Sequence, residues 1–271
     1  MATHALRFLE EKKMETLVLE KKGHFCWVKL NRPDALNALN TQMAKDLLEA
    51  SQEAALDRDL WVLGLTTTSE KSFGVGADLK ERNQMSVADL ARQRVLFVRT
   101  MNALRAIPQP VIAGVKGFAL GGGFEMALAA DIIVAGENAQ FGLPEVRVGL
   151  IPGNGGTQNL PRVVGKMRAK EMIFTGKRIS APEAMVLGIV SRVVPVAKVE
   201  ETVLQVAEEI CANSPISVRQ AKRAVDLGME VDLNTGFQIE IEAYNVNLVT
   251  EDRQEGIRAF NEKRPPKWQN R

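Results

Sequence analysis

Histidine, cysteine and tyrosine are scarce in this chain: 271 residues include two histidines, two cysteines and one tyrosine. With only His4 and His24 available, and His4 near a terminus expected to fray, Ser-His-Asp hydrolysis, histidine zinc sites and HExxH chemistry are excluded. Acid–base work must then fall to carboxylates, lysines or Tyr244. Cys26 and Cys211 form no C-x-x-C pair, and a disulfide joining them would be their only pairing. So few cysteines suit a reducing, cytoplasmic location. A charge excess of one sign is also missing. With 35 basic and 33 acidic residues the formal net charge is +2, which argues against a general nucleic-acid binder. Glu10, Glu11, Lys12 and Lys13 interrupt any secretory apolar stretch, and those acids also count against a mitochondrial presequence. The most apolar run, 117–136, contains Glu125 and Asp131. An acidic group at a membrane centre costs roughly 2.5–3.5 kcal/mol, so this run is expected to be buried core and no membrane partner is expected.

What is present is ordinary for a globular α/β protein: 45% hydrophobic and 25% charged residues, enough for one large domain or a domain with a helical appendage. Strands are expected at 15–20 and 24–30, with 21–23 as the turn, and at 60–66, 111–115 and 132–135. Helices are expected at 41–56 with Thr41 as N-cap, then at 79–82, 87–106 and 124–130. From Lys166 onward almost everything reads as helical, including 199–212, 215–227, 233–248 and 251–260. A strand-rich core over 1–195 and a helical C-terminal region over 196–271 follow, with the boundary near Pro195.

Three glycine-rich sites stand where strands give way to helices. Gly74-x-Gly76 precedes Ala77-Asp78, Gly121-Gly122-Gly123 precedes Phe124-Glu125, and Gly153-Asn154-Gly155-Gly156 follows Pro152. Such turns can aim bare main-chain N–H groups at a ligand, and two of them make an oxyanion hole. They can equally be no more than tight turns. None matches a phosphate-binding P-loop or a G-x-G-x-x-G fingerprint after a strand. Glu125 lies among Phe124, Met126, Ala127, Leu128, Ala129 and Ala130, apolar on every face. Burial raises a carboxylate's pKa, which suits a proton exchanger near neutrality. The alternative is a glutamate that caps its own helix or meets an arginine. Glu145, in Phe141-Gly142-Leu143-Pro144-Glu145-Val146, is similarly surrounded but could pair with Arg147. Together, two shielded carboxylates near one oxyanion site could hold a single water, one taking its proton and the other supplying one to the adjacent carbon.

These segments resemble the crotonase superfamily. The likeness runs through Ile107-Pro108-x-Pro110-Val111-Ile112-Ala113, Gly117-x-Ala119-Leu120-Gly121-Gly122-Gly123-x-Glu125, Ala130-Asp131-Ile132, Phe141-Gly142-x-Pro144-Glu145 and Ile151-Pro152-Gly153-x-Gly155-Gly156-Thr157-Gln158. It extends from Leu30-Asn31-Arg32-Pro33 to Lys263-Arg264. The resemblance implies an α/β fold of stacked ββα units in a spiral core, with a C-terminal helical trimerisation region giving a homotrimer or a homohexamer (a dimer of trimers). It implies coenzyme A as part of the substrate, with no further cofactor and no metal. By the same resemblance, Ala77 and Gly122 are the oxyanion amides and Glu125 and Glu145 the catalytic pair. The substrate contacts would be Ala77, Asp78, Leu79 and Lys80; Ala35, Leu36 and Asn37 would lie near the nucleotide; and Phe260 and Lys263 would help hold the CoA.

The presence of both glutamates tilts the expectation to an enoyl-CoA hydratase of fatty-acid or branched-chain acyl breakdown (β-oxidation), ahead of an enoyl-CoA isomerase. Gly76-Ala77-Asp78-Leu79-Lys80-Glu81-Arg82, Met229-Glu230-Val231-Asp232-Leu233 and Lys263-Arg264-Pro265-Pro266 resemble the methylglutaconyl-CoA hydratase branch of leucine catabolism, which is the alternative. That branch includes an AU-rich RNA binder with a lysine-rich helix. The matching helix here carries Lys45 alone beside Asp46, Glu49 and Glu53, so no nucleic-acid partner is expected. One departure concerns Val75, where the family usually has alanine; its bulk is expected to narrow the acyl or pantetheine channel.

Overall fold

The computed structural model describes residues 10–271, so the expectation about His4 lies outside it. The strands are β1 (Glu10–Lys13), β2 (Leu17–Lys22), β3 (Phe25–Leu30), β4 (Val62–Thr67), β5 (Ser72–Gly74), β6 (Val111–Val115), β7 (Phe118–Leu120), β8 (Ile132–Gly136), β9 (Gln140–Gly142), β10 (Arg178–Ser180) and β11 (Arg192–Val194). The helices are α1 (Thr41–Leu56), α2 (Leu79–Arg82), α3 (Val87–Arg105), α4 (Gly122–Ala127), α5 (Gly156–Val164), α6 (Lys166–Thr175), α7 (Ala181–Val186), α8 (Val199–Cys211), α9 (Pro215–Gly228), α10 (Leu233–Leu248) and α11 (Glu251–Asn261).

Every residue of β4 and β6 is buried, which identifies strands covered on both faces. They lie in a seven-stranded sheet of order β1-β2-β3-β4-β6-β8-β11, antiparallel from β1 to β3 and parallel from β3 onward. Val203, Val206 and Ala207 of α8 cover one face, packing on Phe25, Trp27, Val62, Ile112 and Val134. The main core lies on the other face.

The second sheet, β10-β9-β7-β5, decides where function can sit. Each of β4, β6 and β8 runs through a short turn into β5, β7 or β9, and a helix follows, so three ββα turns stack, with one register shift between Ser72 and Gly74 where β5 meets β7. The turn from β6 to β7 needs Gly117: its φ is +63°, and an added Cβ would lie 2.1 Å from the Lys71 carbonyl oxygen. Phe73, Phe124 and Phe141, one from each turn, are fully buried, and the last two rings sit 5.3 Å apart in a tilted contact. Stacking therefore brings the chain segments after β5, β7 and β9 to one side of the molecule.

Several expectations are corrected. Asn40, not Thr41, caps α1, its side chain accepting from the Met43 N–H. Lys21 and Lys22 are strand residues, so the turn at 21–23 moves to Gly23-His24. The three-residue strands β5, β7, β9, β10 and β11 went unforeseen; the last two break the expected helical run after Lys166. The helix expected at 124–130 begins at Gly122 and ends at Ala127. Asp46 does not face solvent: it is buried and accepts from both N–H and O–H of Thr16. Glu49 and Glu53 stay exposed and pair with Lys12. Cys26 and Cys211 are free, so the disulfide is not formed. No helix among the described residues is long and apolar enough to cross a membrane.

Candidate active site

The segments that follow β5, β7 and β9 border a cleft of about 580 Å³ lined by Gly76, Ala77, Gly121, Gly122, Glu125 and Glu145, among others. Its floor depends on glycine at two positions. Gly76 (φ +92°) would put a Cβ 3.3 Å from the Gly122 nitrogen, and Gly121 (φ +52°) would put one 3.0 Å from Oε1 of Glu145. Side chains at either place would fill the space where main-chain amides face the cleft.

Two amides are left over there. Leu39 donates to the Gly76 carbonyl and accepts from Asp78, at 2.7 and 3.0 Å, so the Ala77 N–H between them has no main-chain acceptor among the described residues. Gly122 opens α4, and its N–H lies outside the helix ladder. Two such donors on one cleft can stabilise a carbonyl oxygen that gains negative charge.

Glu125 occupies the first turn of α4 and is 1% exposed. Among the described residues it neither caps its own helix nor meets an arginine at ion-pair distance. Instead its Oε1 accepts N–H donation from Asn154 at 2.6 Å and from Gly156 at 2.8 Å. Burial pushes its pKa up, while those amides and the positive charge of Arg94 act in the opposite direction. Glu145 begins the short helical turn Glu145–Val148, and its Oε2 is buried with no hydrogen-bond partner among the described residues. Burial raises its pKa to about 7, opposed by a hydrogen bond from its own backbone and aided by the negative charge of Glu125. Pairing with Arg147 does not occur: Arg147 donates to the Thr175 carbonyl instead. The two carboxylates thus differ. One has two N–H donors that favour its ionised form, and the other has an empty oxygen that favours its acid.

Other candidates are placed unevenly. Leu79 lines the cleft with Ala77, and so does Val75. Asp78 caps α2 through the N–H groups of Lys80 and Glu81 and pairs with Arg32 at 3.0 Å, so its carboxylate is structural. Lys80 is exposed and is not among the residues lining the cleft. Asn37 is fully buried, donating to Thr67 and the Ser72 carbonyl and accepting from the Arg32 N–H, so its side chain cannot meet a ligand. The adjacent Ala35 is half-buried and Leu36 exposed. Phe260, 83% exposed, and Lys263 do not line the cleft.

Arginines on α3 went unrecognised in the sequence. Arg94 donates to the side-chain oxygen of Asn154 at 2.7 Å and to the Gly153 carbonyl, and Arg105 donates to the Asn154 carbonyl at 2.9 Å. They clamp the loop whose amides hold Glu125. No local pattern marks them, because Arg94 and Asn154 are 60 positions apart.

Comparison with known proteins identifies the family. Residues 20–271 match the family described as enoyl-CoA hydratase/isomerase. The short-chain-enoyl-CoA hydratase of Clostridium acetobutylicum is 40% identical over 251 residues, covering 93% of this chain and 96% of that protein. The human protein named enoyl-CoA hydratase domain-containing protein 2, mitochondrial, is 46% identical over 247 residues, covering 88% of this chain and 83% of its own. The crystal structure of an enoyl-CoA hydratase from Bacillus anthracis superposes with a TM-score of 0.93 at 42% identity, covering 95% of this chain and 100% of that one. Stacked ββα turns, two free amides and two shielded carboxylates on one cleft therefore accompany similarity over nearly the whole length, and the chain belongs to the enoyl-CoA hydratase/isomerase family of the crotonase superfamily.

Proposed function

We propose that this enzyme hydrates a trans-2-enoyl-CoA by syn addition of water, giving a 3-hydroxyacyl-CoA. The observation that carries the reading is the unequal pair Glu125 and Glu145 on a cleft that also presents the amides of Ala77 and Gly122. The thioester oxygen accepts from those two N–H groups. Glu125, ionised, takes a proton from a water held between the carboxylates, and the water oxygen bonds to the β-carbon. The β-carbon's π electrons move through the α-carbon into the thioester as an enolate, whose charge the two amides hold. Glu145, protonated, then delivers its proton to the α-carbon on the same face. Proton return from Glu125 to Glu145 through solvent resets the site, so one water is consumed and nothing is oxidised or reduced. No resident cofactor or metal enters this chemistry; coenzyme A is the handle on the substrate.

An isomerase needs a proton moved between carbons and no activated water. A second positioned carboxylate favours hydration over that reading. Crotonyl-CoA incubated with the enzyme in oxygen-labelled water tests it: the product should carry one solvent oxygen at the β-carbon. Double-bond migration in a 3-enoyl-CoA without incorporation of label would refute it. The exposed apolar residues Phe237, Ile241 and Tyr244 of α10, together with Phe260 of α11, support the trimer or dimer of trimers as the working assembly.

A further inference from the structure

Asn154 meets the site twice. Its main-chain N–H is one of the two donors to Oε1 of Glu125, and the residue itself lines the same cleft. Any residue other than proline could make the main-chain contact, so that contact does not call for asparagine. What asparagine adds is a planar amide, with an acceptor at one end and two N–H donors at the other. Oδ1 accepts from Arg94 at 2.7 Å, and Arg94 also donates to the Gly153 carbonyl. Nδ2 lies against α4, where a Cβ added to Gly122 would stand 3.6 Å from it. Gly122 and Glu125 are three positions apart on that helix and share one face. Nδ2 therefore sits beside the face that carries the carboxylate.

Two neighbours keep this amide from turning over. Exchanging its ends would set Nδ2 against the Arg94 guanidinium, donor against donor, and Oδ1 against the Glu125 carboxylate, acceptor against acceptor. The charge of Glu125 responds to the same arrangement. The Asn154 side-chain amide favours the carboxylate anion, in the same direction as the two main-chain amides and Arg94. The other charged groups that act on Glu125 are Arg105 of α3 and Glu145 of the turn after β9. Arg105 reaches Asn154 only at its main-chain carbonyl. We infer that Asn154 is a positioning residue for the proposed base: Arg94 holds its Oδ1, and its Nδ2 supplies a third donor to the Glu125 carboxylate. The role given to Glu125 rests on the hydratase reading, whereas the contact itself needs no substrate.

Substitution separates the two ends of the amide. Asn154→Asp keeps the acceptor for Arg94 and replaces the donor by a second acceptor beside Glu125. Asn154→Ala removes both ends, and main-chain donation to Glu125 survives in each variant. A side chain that only clamped the loop to Arg94 would tolerate Asp and suffer from Ala. The inference requires the reverse order. In crotonyl-CoA hydration at neutral pH, kcat should fall roughly 10-fold in Asn154→Ala and about 100-fold in Asn154→Asp, with KM little changed. The acid limb of the pH profile should move to higher pH in the same order, because Glu125 takes up its proton sooner. Infrared difference titration of the Glu125 carboxyl, assigned by subtracting Glu125→Gln, should give that order without turnover. A wild type that hydrates no enoyl-CoA while the titration keeps this order would refute the hydratase reading alone. An Asn154→Asp titration at or below that of Asn154→Ala would overturn the inference, and so would an Asn154→Ala titration unmoved from wild type. If Asn154→Asp lacks a native circular dichroism spectrum, the comparison of Asn154→Ala with wild type decides by itself.

Discussion

Asn154 donates its main-chain N–H to Oε1 of Glu125 at 2.6 Å, across 29 positions of sequence, and thereby ties the loop after Pro152 to the first turn of α4. Gly156 adds a second donor at 2.8 Å to the same oxygen. A carboxylate buried in this way would ordinarily hold its proton; the two amides counter that by favouring the anion. Glu145 receives no such help on Oε2. The proposed division into base and acid rests on that difference.

The pH dependence of kcat/KM should therefore be bell-shaped. Activity should fall above about pH 7, as Glu145 loses the proton it must donate. It should also fall on the acid side, as Glu125, whose pKa burial raises, becomes protonated. Steady-state rates with crotonyl-CoA across this range would show both limbs; a profile flat through pH 7 would contradict the role given to Glu145.

Stability should carry the opposite mark of the same group. Glu145 has a folded pKa of about 7 against an ordinary 4.5, so between these values the folded chain binds more protons than the unfolded one. Stability contributed by this site is thus full below the unfolded value and declines as pH rises toward the folded one. Replacing Glu145 by Gln should stabilise the protein at pH 8, by up to ~3 kcal/mol, and much less at pH 5. Thermal melts of both proteins at the two pH values would measure it.

Arg105 is a positioning residue, acting through the Asn154 carbonyl and through its attraction to Glu125. Arg105→Met should lower kcat and move the acid limb of the profile to higher pH, because a cation favouring the Glu125 anion is gone. Arg105→Lys should recover part of the shift. A purely structural role would leave the limb where it was.

Gly123→Ala tests the stacking itself. An added Cβ would sit 2.1 Å from the carbonyl oxygen of Gly74, so the turns carrying Ala77 and Gly122 would have to separate. A loss of about 1–3 kcal/mol in denaturant unfolding is expected, with activity reduced further.

Much of this was legible along the chain where the signal is local. The bounds of α1 and α10 follow from helical spacing, although the residue capping α1 is Asn40 and not the expected Thr41, and Glu125 stands out because its neighbours are apolar on every side. Strands of three residues such as β7 and β9 are too short for an alternating pattern, and only their partners in the second sheet make them strands. The burial of Asp46 could not be read locally, because nothing adjacent shows that Thr16 awaits it, 30 positions earlier. The arginines at 82, 94 and 105 sit in helices rich in charge, where only the folded chain shows which of them turns to the cleft. Phe260 and Lys263 lie outside the cleft of this single chain, so their expected contact with coenzyme A has no support from its lining.

The most direct measurement is the turnover of crotonyl-CoA by Glu125→Gln and Glu145→Gln, each checked for a native fold. The account predicts that each substitution lowers kcat by about 10²–10⁴-fold, with the double variant little worse than the more damaged single one. Near-wild-type hydration by either variant would contradict it.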